Sequence, residues 1–252
     1  MTHAITKPMG YPGDYKMLEI VYNRKTITTG IGKYFDHYCL NTPYAIAVRN
    51  RKDLTREILK KCIGKVKKGE VLKILNLACG SCRELREIFD AKTPCLGKVI
   101  FTCVDHDTEA LGYSKAKIDK IKPSWAKINY VNENVLKYKL NNRESIKKLG
   151  TQDIVYSIGL SDYLPDRILT NIIKFSMHLT SIGGKFIVAC KDRDKYKPVS
   201  PDWYTDWHFV PRNEEVFLSL VKNACGQNCK FKTMWEKTGN IIITIINKYG
   251  DL

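Results

Sequence analysis

The sequence predicts an α/β domain: a mostly parallel sheet of seven strands that ends in an antiparallel hairpin, preceded by helices. Three observations predict it. From Val71 onward, Val/Ile-rich runs of strand length alternate with helical runs, the pattern of strands buried on both faces. The first strand passes through a small-residue turn directly into a helix, the opening of a doubly wound sheet. The last two strands are joined by Lys237-Thr238-Gly239-Asn240, too short for a crossover, so they pair antiparallel at an edge.

The elements follow in order. Gly10 and Pro12-Gly13 break the chain, and Met17, Leu18, Val21 and Tyr22 form the apolar stripe of a short helix over 14–23. Pro43 opens a longer helix to about Lys65, with Ile46, Leu54, Ile58 and Cys62 as its buried positions. These define an N-terminal helical cap or lid over 1–68, ahead of a sheet domain over 69–252. Strands are predicted at 71–77, 98–104, 127–132, 153–158, 184–190, 230–236 and 240–248. Helices are predicted at 83–90, 107–121, 141–149, 165–180 and 212–224. No repeat, low-complexity tract or interdomain linker interrupts them.

Composition narrows the class. The 252 residues are 44% hydrophobic, enough for one α/β domain with an added element. No apolar run reaches 18 residues, and the N-terminal segment lacks the apolar core of a signal peptide, so a cytoplasmic protein is expected. Nine cysteines, most of them inside predicted strands or helices, read as free thiols. Cys79-x-x-Cys82 and Cys225-x-x-x-Cys229 offer four thiolates for zinc, but the first pair lies in the turn after strand one and the second is loosely spaced; no metal is expected. The net charge is +16, and residues 1–70 carry fourteen Lys and Arg against six Asp and Glu. The run Arg49, Arg51, Lys52, Arg56, Lys60, Lys61, Lys65, Lys67, Lys68 predicts either a solvated helix face or a surface for an acidic partner: an acyl carrier, an acidic substrate, RNA or a membrane.

The turn Ala78-Cys79-Gly80-Ser81 says most about function. Small residues let a ligand approach the backbone, and the helix behind them offers free N–H groups. The second strand ends in Asp105, where a carboxylate can accept from a ribose hydroxyl pair; Asp107 is an equally good helix cap, which leaves Asp105 for that role. One glycine does not make a G-x-G-x-x-G fingerprint, and no G-x-x-x-x-G-K-[ST] loop is present, so an adenosine cofactor without a pyrophosphate is expected. The turn resembles motif I of class I S-adenosylmethionine (SAM) methyltransferases, with Ala78 and Cys82 at positions where that motif has glycine. The resemblance implies the Rossmann-like fold of that class and SAM as cofactor. Ala78, Cys79, Gly80 and Ser81 would lie at its methionine part, Asp105 and His106 at the ribose, and Asn134 and Val135 at the adenine. Ser157 to Tyr163, with Gly159, would form the floor between cofactor and acceptor.

Two further segments are more specific. Met9-Gly10-Tyr11-Pro12-Gly13-Asp14-Tyr15 and Tyr156 to Arg167, with Gly159-Leu160-Ser161-Asp162-Tyr163-Leu164-Pro165-Asp166-Arg167, resemble the bacterial family of extracellular-factor 3-hydroxypalmitic acid methyl ester biosynthesis. The likeness spans about residues 8–240; within 201–212, His208 and Arg212 depart from the family's pattern. It implies a SAM-dependent methyltransferase acting on a small-molecule or carrier-bound acceptor through a carboxylate or hydroxyl oxygen. Tyr11 and Asp14 would fold over the cofactor, and Tyr15, Asp162, Tyr204 and Arg212 would meet the acceptor. Arg193 and Arg212 are candidates to hold a carboxylate, His208 to act as base for a hydroxyl or amine, and Tyr163 to line the reacting centre. Two alternatives stay open. One is an RNA methyltransferase, although no Asn/Asp-Pro-Pro-aromatic motif follows the fourth strand; the other is a non-catalytic SAM-binding partner protein.

Overall fold

The computed structural model describes residues 5–7, 13–140, 142–197, 205–210 and 212–250. Ahead of the sheet lie α1 (Tyr15–Asn23), α2 (Ile31–Leu40) and α3 (Pro43–Ile63). Then follow β1 (Val71–Leu77), α4 (Arg83–Asp90), β2 (Lys98–Asp105), α5 (Thr108–Ile118), β3 (Ala126–Asn132), α6 (Arg143–Leu149) and β4 (Gln152–Ser157). The chain ends with α7 (Asp166–Leu179), β5 (Thr180–Lys191), α8 (Glu214–Cys225), β6 (Cys229–Trp235) and β7 (Ile241–Lys248).

The seven strands form one sheet in the order β3-β2-β1-β4-β5-β7-β6. The first five are parallel, while β7 is antiparallel to both β5 and β6. Alternate residues of each strand feed two cores. Ile74, Phe101, Tyr156 and Ile187 face α3, α4 and α5, whereas Leu75, Val155, Phe186 and Ile246 face α7 and α8. The sheet is thus covered on both sides, as its uninterrupted apolar strands require.

Helix starts follow local chemistry. Asp14, Thr42, Asp107, Asn142 and Asn213 each accept a backbone N–H as N-caps of α1, α3, α5, α6 and α8, so the last three helices begin one or two residues later than the pattern suggests. The β6–β7 turn is held by Glu236, which accepts from the Thr238 and Asn240 amides at 2.8 Å and from Asn50 of α3 at 2.8 Å.

Three expectations need correction. Helix α2 is not in the predicted set, because its residues Ile-Gly-Lys-Tyr-Phe-Asp-His-Tyr have weak helix propensity and are held by tertiary packing. In α3 the most buried stripe is Val48, Thr55, Leu59 and Ile63, with Leu54, Ile58 and Cys62 half-buried beside it. The basic run is not one solvated face either. Arg49, Arg51 and Lys52 are buried: Arg49 donates to the Val21 and Leu40 carbonyls at 3.2 and 2.9 Å, closing the C-terminal ends of α1 and α2. Lys52 reaches Glu87 of α4 at 2.6 Å. Among the described residues no helix is long and apolar enough to cross a membrane.

Candidate functional site

Strand order reverses between β1 and β4, and the crevice beyond their carboxyl ends is where such sheets bind ligands. Asn76 of β1 lies opposite Tyr156 of β4, so Ala78–Cys82 and Ser157–Tyr163 frame the same gap. The 78–82 loop has an uncommon backbone: Ala78, Gly80 and Cys82 all have positive φ, at 54°, 51° and 47°. A left-handed conformation costs a non-glycine residue about 1–2 kcal/mol. Ala78 and Cys82 therefore retain a shape suited to glycine at the two positions where the sequence lacks it. Strain of this kind persists only when surrounding contacts impose it. Those contacts are clear: the Gly80 amide donates to Asp105 Oδ2 at 2.7 Å, the Gly80 carbonyl accepts from Ser114 Oγ at 2.9 Å, and the Cys79 amide donates to the Val104 carbonyl at 3.0 Å.

The floor of the loop is a buried polar joint. Glu84, in the first turn of α4, accepts from Asn76 Nδ2 at 3.1 Å and from the Tyr156 hydroxyl at 2.8 Å, tying together the two strands of the switch point. Burial, with the Cys82 thiol beside it, raises the Glu84 carboxyl to about 7. Burial also holds the Cys79 thiol well above its ordinary range, with the Cys82 and Cys103 thiols beside it.

At the ends of β2 and β3 the surface is polar. Asp105 is buried, with Oδ1 accepting from the Asp107 amide at 3.0 Å and the His106 ring 3.4 Å away. Asp107 is the cap of α5, and its second carboxylate oxygen is buried without a partner; Ser157 Oγ, at the end of β4, is likewise buried and unpaired. Asn134 Oδ1 accepts from the Leu136 amide at 2.9 Å, and Val135 is buried behind it. His106, Asn132, Glu133, Asn134, Lys137 and Lys148 border a polar groove here.

On the β4 side lies an apolar cavity of about 110 Å³ between the sheet and the N-terminal helices. Met17, Val21, Phe35, Leu40 and Val48 wall it, and its inner end is formed by Arg51, Gly159, Tyr163 and Trp207. Arg51 is a buried cation beside Asp162 and the Tyr22 hydroxyl. Its Nη1 stands 3.8 Å from Asp162 Oδ2, beyond hydrogen-bond reach, and its Nε has no partner. The Tyr163 hydroxyl accepts from Trp207 Nε1 at 3.0 Å and keeps its own proton, its ionisation pushed up by burial. A Cβ on Gly13 would stand 2.4 Å from that hydroxyl, so only glycine lets the start of α1 close over it.

The remaining predicted residues are distributed unevenly. Asp14 caps α1, and Tyr15 lies over the loop, its Cβ 3.8 Å from where a Gly80 Cβ would be. The Ser81 hydroxyl donates to Glu19 of α1 at 2.6 Å, so it faces the helix. Asp162 is buried and accepts the Lys191 amide at 2.7 Å, beside Arg51. Arg212, 1% exposed, is engaged by Asp166 and the Ser161 and Leu164 carbonyls, which makes it a brace of the fold. His208 is 82% exposed and paired with Asp206, and Arg193 is exposed beside Asp194; neither borders the cavity. Tyr11 and Tyr204 lie outside the described residues. The cation that does border the cavity, Arg51, was absent from the sequence candidates because it sits in a basic run that reads as surface. Its signal was its i+3 spacing from Val48 on an apolar stripe. Among the described residues no cluster of three or more His, Cys, Asp or Glu side chains is placed to hold a metal.

No family model matches the chain, and no curated protein matches it in sequence. Solved structures do match in shape. A possible exported protein from Bordetella parapertussis superposes with a TM-score of 0.68 at 15% identity, over 98% of this chain and 86% of that one. Magnesium protoporphyrin IX methyltransferase from Synechocystis with bound S-adenosylhomocysteine (SAH) gives 0.58 at 9% identity, over 92% and 99%. The N-methyltransferase NodS from Bradyrhizobium japonicum, in complex with SAH, gives 0.54 at 14% identity, over 93% and 97%. Sheet order, antiparallel final pair and these superpositions agree: the chain has the class I methyltransferase fold.

Proposed function

We propose that the chain is a SAM-dependent methyltransferase that alkylates a carboxylate or hydroxyl oxygen of an acceptor with an apolar body. One observation carries this reading: a glycine-shaped loop at the switch point adjoins, through Gly159, an apolar cavity lined at one side by a buried arginine whose Nε is unpaired. The residues fit the cofactor. The unpaired Asp107 oxygen and the Asp105 carboxylate suit ribose hydroxyl donors, and the unpaired Ser157 hydroxyl suits a polar group in the gap. Solved neighbours of the same fold that hold SAH support the choice. Bound there, SAM supplies an activated methyl group.

The chain's own work is then positioning and exclusion of water. An acceptor carboxylate is already ionised at neutral pH and needs a cation. Arg51 supplies one from a desolvated site, where the interaction is stronger than in water. Tyr163 can donate its retained proton to the same oxygen, and α1 with α2 closes the cavity as a lid. Burial of Arg49, Arg51 and Lys52 weakens the RNA reading, which rests on surface cations. All nine cysteines are free, which supports a reducing, cytoplasmic location.

Calorimetry with SAH tests the cofactor half. Asp105→Ala should weaken binding by about 1–3 kcal/mol, and unchanged affinity would remove Asp105 from the site. Methyl transfer from labelled SAM to a panel of amphiphilic acids and alcohols tests the acceptor half. With a turned-over acid, Arg51→Gln should raise KM tenfold or more at unchanged SAH affinity, and Arg51→Lys should recover part of the loss (about 1.4 kcal/mol per tenfold). No turnover of any panel member would reject the acceptor assignment while leaving the cofactor result intact.

A further inference from the structure

Helix α2 carries apolar residues on two sides, and among the described residues only one of them is covered. Phe35, Cys39 and Leu40 turn inward and line the cavity. Ile31, Tyr34 and Tyr38, spaced i, i+3, i+7, form a stripe on the outer side, with Ile31 89% and Tyr34 79% exposed. Ile27, just before the helix, is exposed and also borders the cavity, so the outer stripe continues into the cavity mouth. Other exposed large apolar residues, such as Val71, Leu96, Ile182 and Val216, stand on separate elements and need no partner.

The surrounding charge is cationic. Arg24, Lys25 and Lys33, close to the stripe in sequence, are exposed, and the acid Asp36 is turned onto the Ile27 and Thr28 amides and the Thr28 hydroxyl at 2.8–3.0 Å. The whole chain carries +16. A second copy of such a chain is repelled by charge, whereas an anionic surface attracts it. A short helix with Ile and Tyr outward on a strongly cationic chain has the composition of an interfacial anchor: rings of this kind lie at the headgroup level and nearby cations meet lipid phosphates.

We propose that the outer face of α2 is a docking surface for an anionic lipid bilayer, seating the mouth of the cavity against the membrane. Resting on the function proposed above, this places the acceptor among amphiphiles that partition into the bilayer and enter the cavity past Ile27 and Phe35.

The test is flotation of the full chain with vesicles of phosphatidylcholine containing 40% phosphatidylglycerol, alongside vesicles of pure phosphatidylcholine. The wild type should float with the anionic vesicles and much less with the neutral ones. The variant Ile31→Ser/Tyr34→Ser/Tyr38→Ser changes only exposed positions and should lose about tenfold or more in partitioning, with SAH affinity and unfolding midpoint unchanged. Equal binding by variant and wild type would assign attraction to net charge alone and overturn a role for α2. No binding to either vesicle would overturn the proposal outright. A concentration-dependent dimer in sedimentation velocity that the triple variant abolishes would assign the stripe to a second copy instead. SAH affinity is read separately, so failure here is distinguishable from failure of the methyltransferase reading.

Discussion

At the scale of single residues, the 78–82 loop holds a glycine-like backbone at positions that are not glycine. Ala78 holds φ at 54° without a glycine's freedom. Replacing it with glycine relieves about 1–2 kcal/mol of left-handed cost, and the more flexible unfolded chain returns about 0.4–1 kcal/mol of that. Ala78→Gly should therefore leave stability equal or raise it by up to about 1.6 kcal/mol, a rise of roughly 3–6 °C at most in the unfolding midpoint for a chain of this size. Gly80→Ala is the converse. A Cβ there meets only Tyr15 Cβ at 3.8 Å, so there is room for the atom, and the left-handed cost of about 1–2 kcal/mol, less the about 0.4–1 kcal/mol by which the unfolded chain is stiffened, leaves a loss of up to about 1.6 kcal/mol. Paired thermal melts measure both; a clear loss for Ala78→Gly would mean that the loop is not under the strain its dihedrals indicate.

At the scale of elements, the loop and the first helix form one unit. Glu19 of α1 accepts from Ser81, Arg83, Arg86 and Tyr113, and Asn23 accepts from Arg83, so α1 is fastened across the turn mainly through one carboxylate. Glu19→Ala leaves the buried Arg86 guanidinium without its acid, while Arg83 keeps Glu87, and should cost several kcal/mol, about 3–5 for a buried pair losing one partner. Hydrogen exchange should then rise together in α1 and in 78–86, while Glu19→Gln, which keeps an acceptor, should show less. Exchange confined to α1 would show that the lid and the loop are independent. This coupling was not legible in the sequence, since Glu19 reads there as a polar position of a short helix. The strands were legible because each carries its own apolar run. Asp105 and Gly80 were legible because turn chemistry is local. Helix α2 and Arg51 were not, because both depend on partners distant in sequence: α2 on the packing of Phe35 and Leu40, and Arg51 on a cavity that the sheet completes.

At the scale of the whole molecule, two carboxylates of one helix set opposite limits on stability against pH. Glu87 is half-buried, but hydrogen bonds from Lys52 and Arg83, with Arg56 beside them, outweigh that burial and lower it to about 2. Its folded value lies below the ordinary one, so its contribution is complete above pH 4.5 and is lost as pH falls toward 2. Glu84 is raised to about 7 by burial. The native state therefore binds its proton more tightly than the unfolded chain does. Stability falls as pH rises from about 4.5 to about 7, by as much as about 3 kcal/mol from this group, and levels off above that. The carboxyl joins Asn76 of β1 to Tyr156 of β4, so its ionisation is felt in the sheet centre and read in global unfolding. Glu84→Gln keeps an oxygen for both donors and removes the titration. In urea melts at pH 5, 6, 7 and 8, the difference between wild type and Glu84→Gln should grow in favour of the variant up to pH 7 and then stay constant. A difference that does not change with pH would mean that Glu84 is ionised throughout, with the joint between the two strands held by a charge that burial fails to penalise.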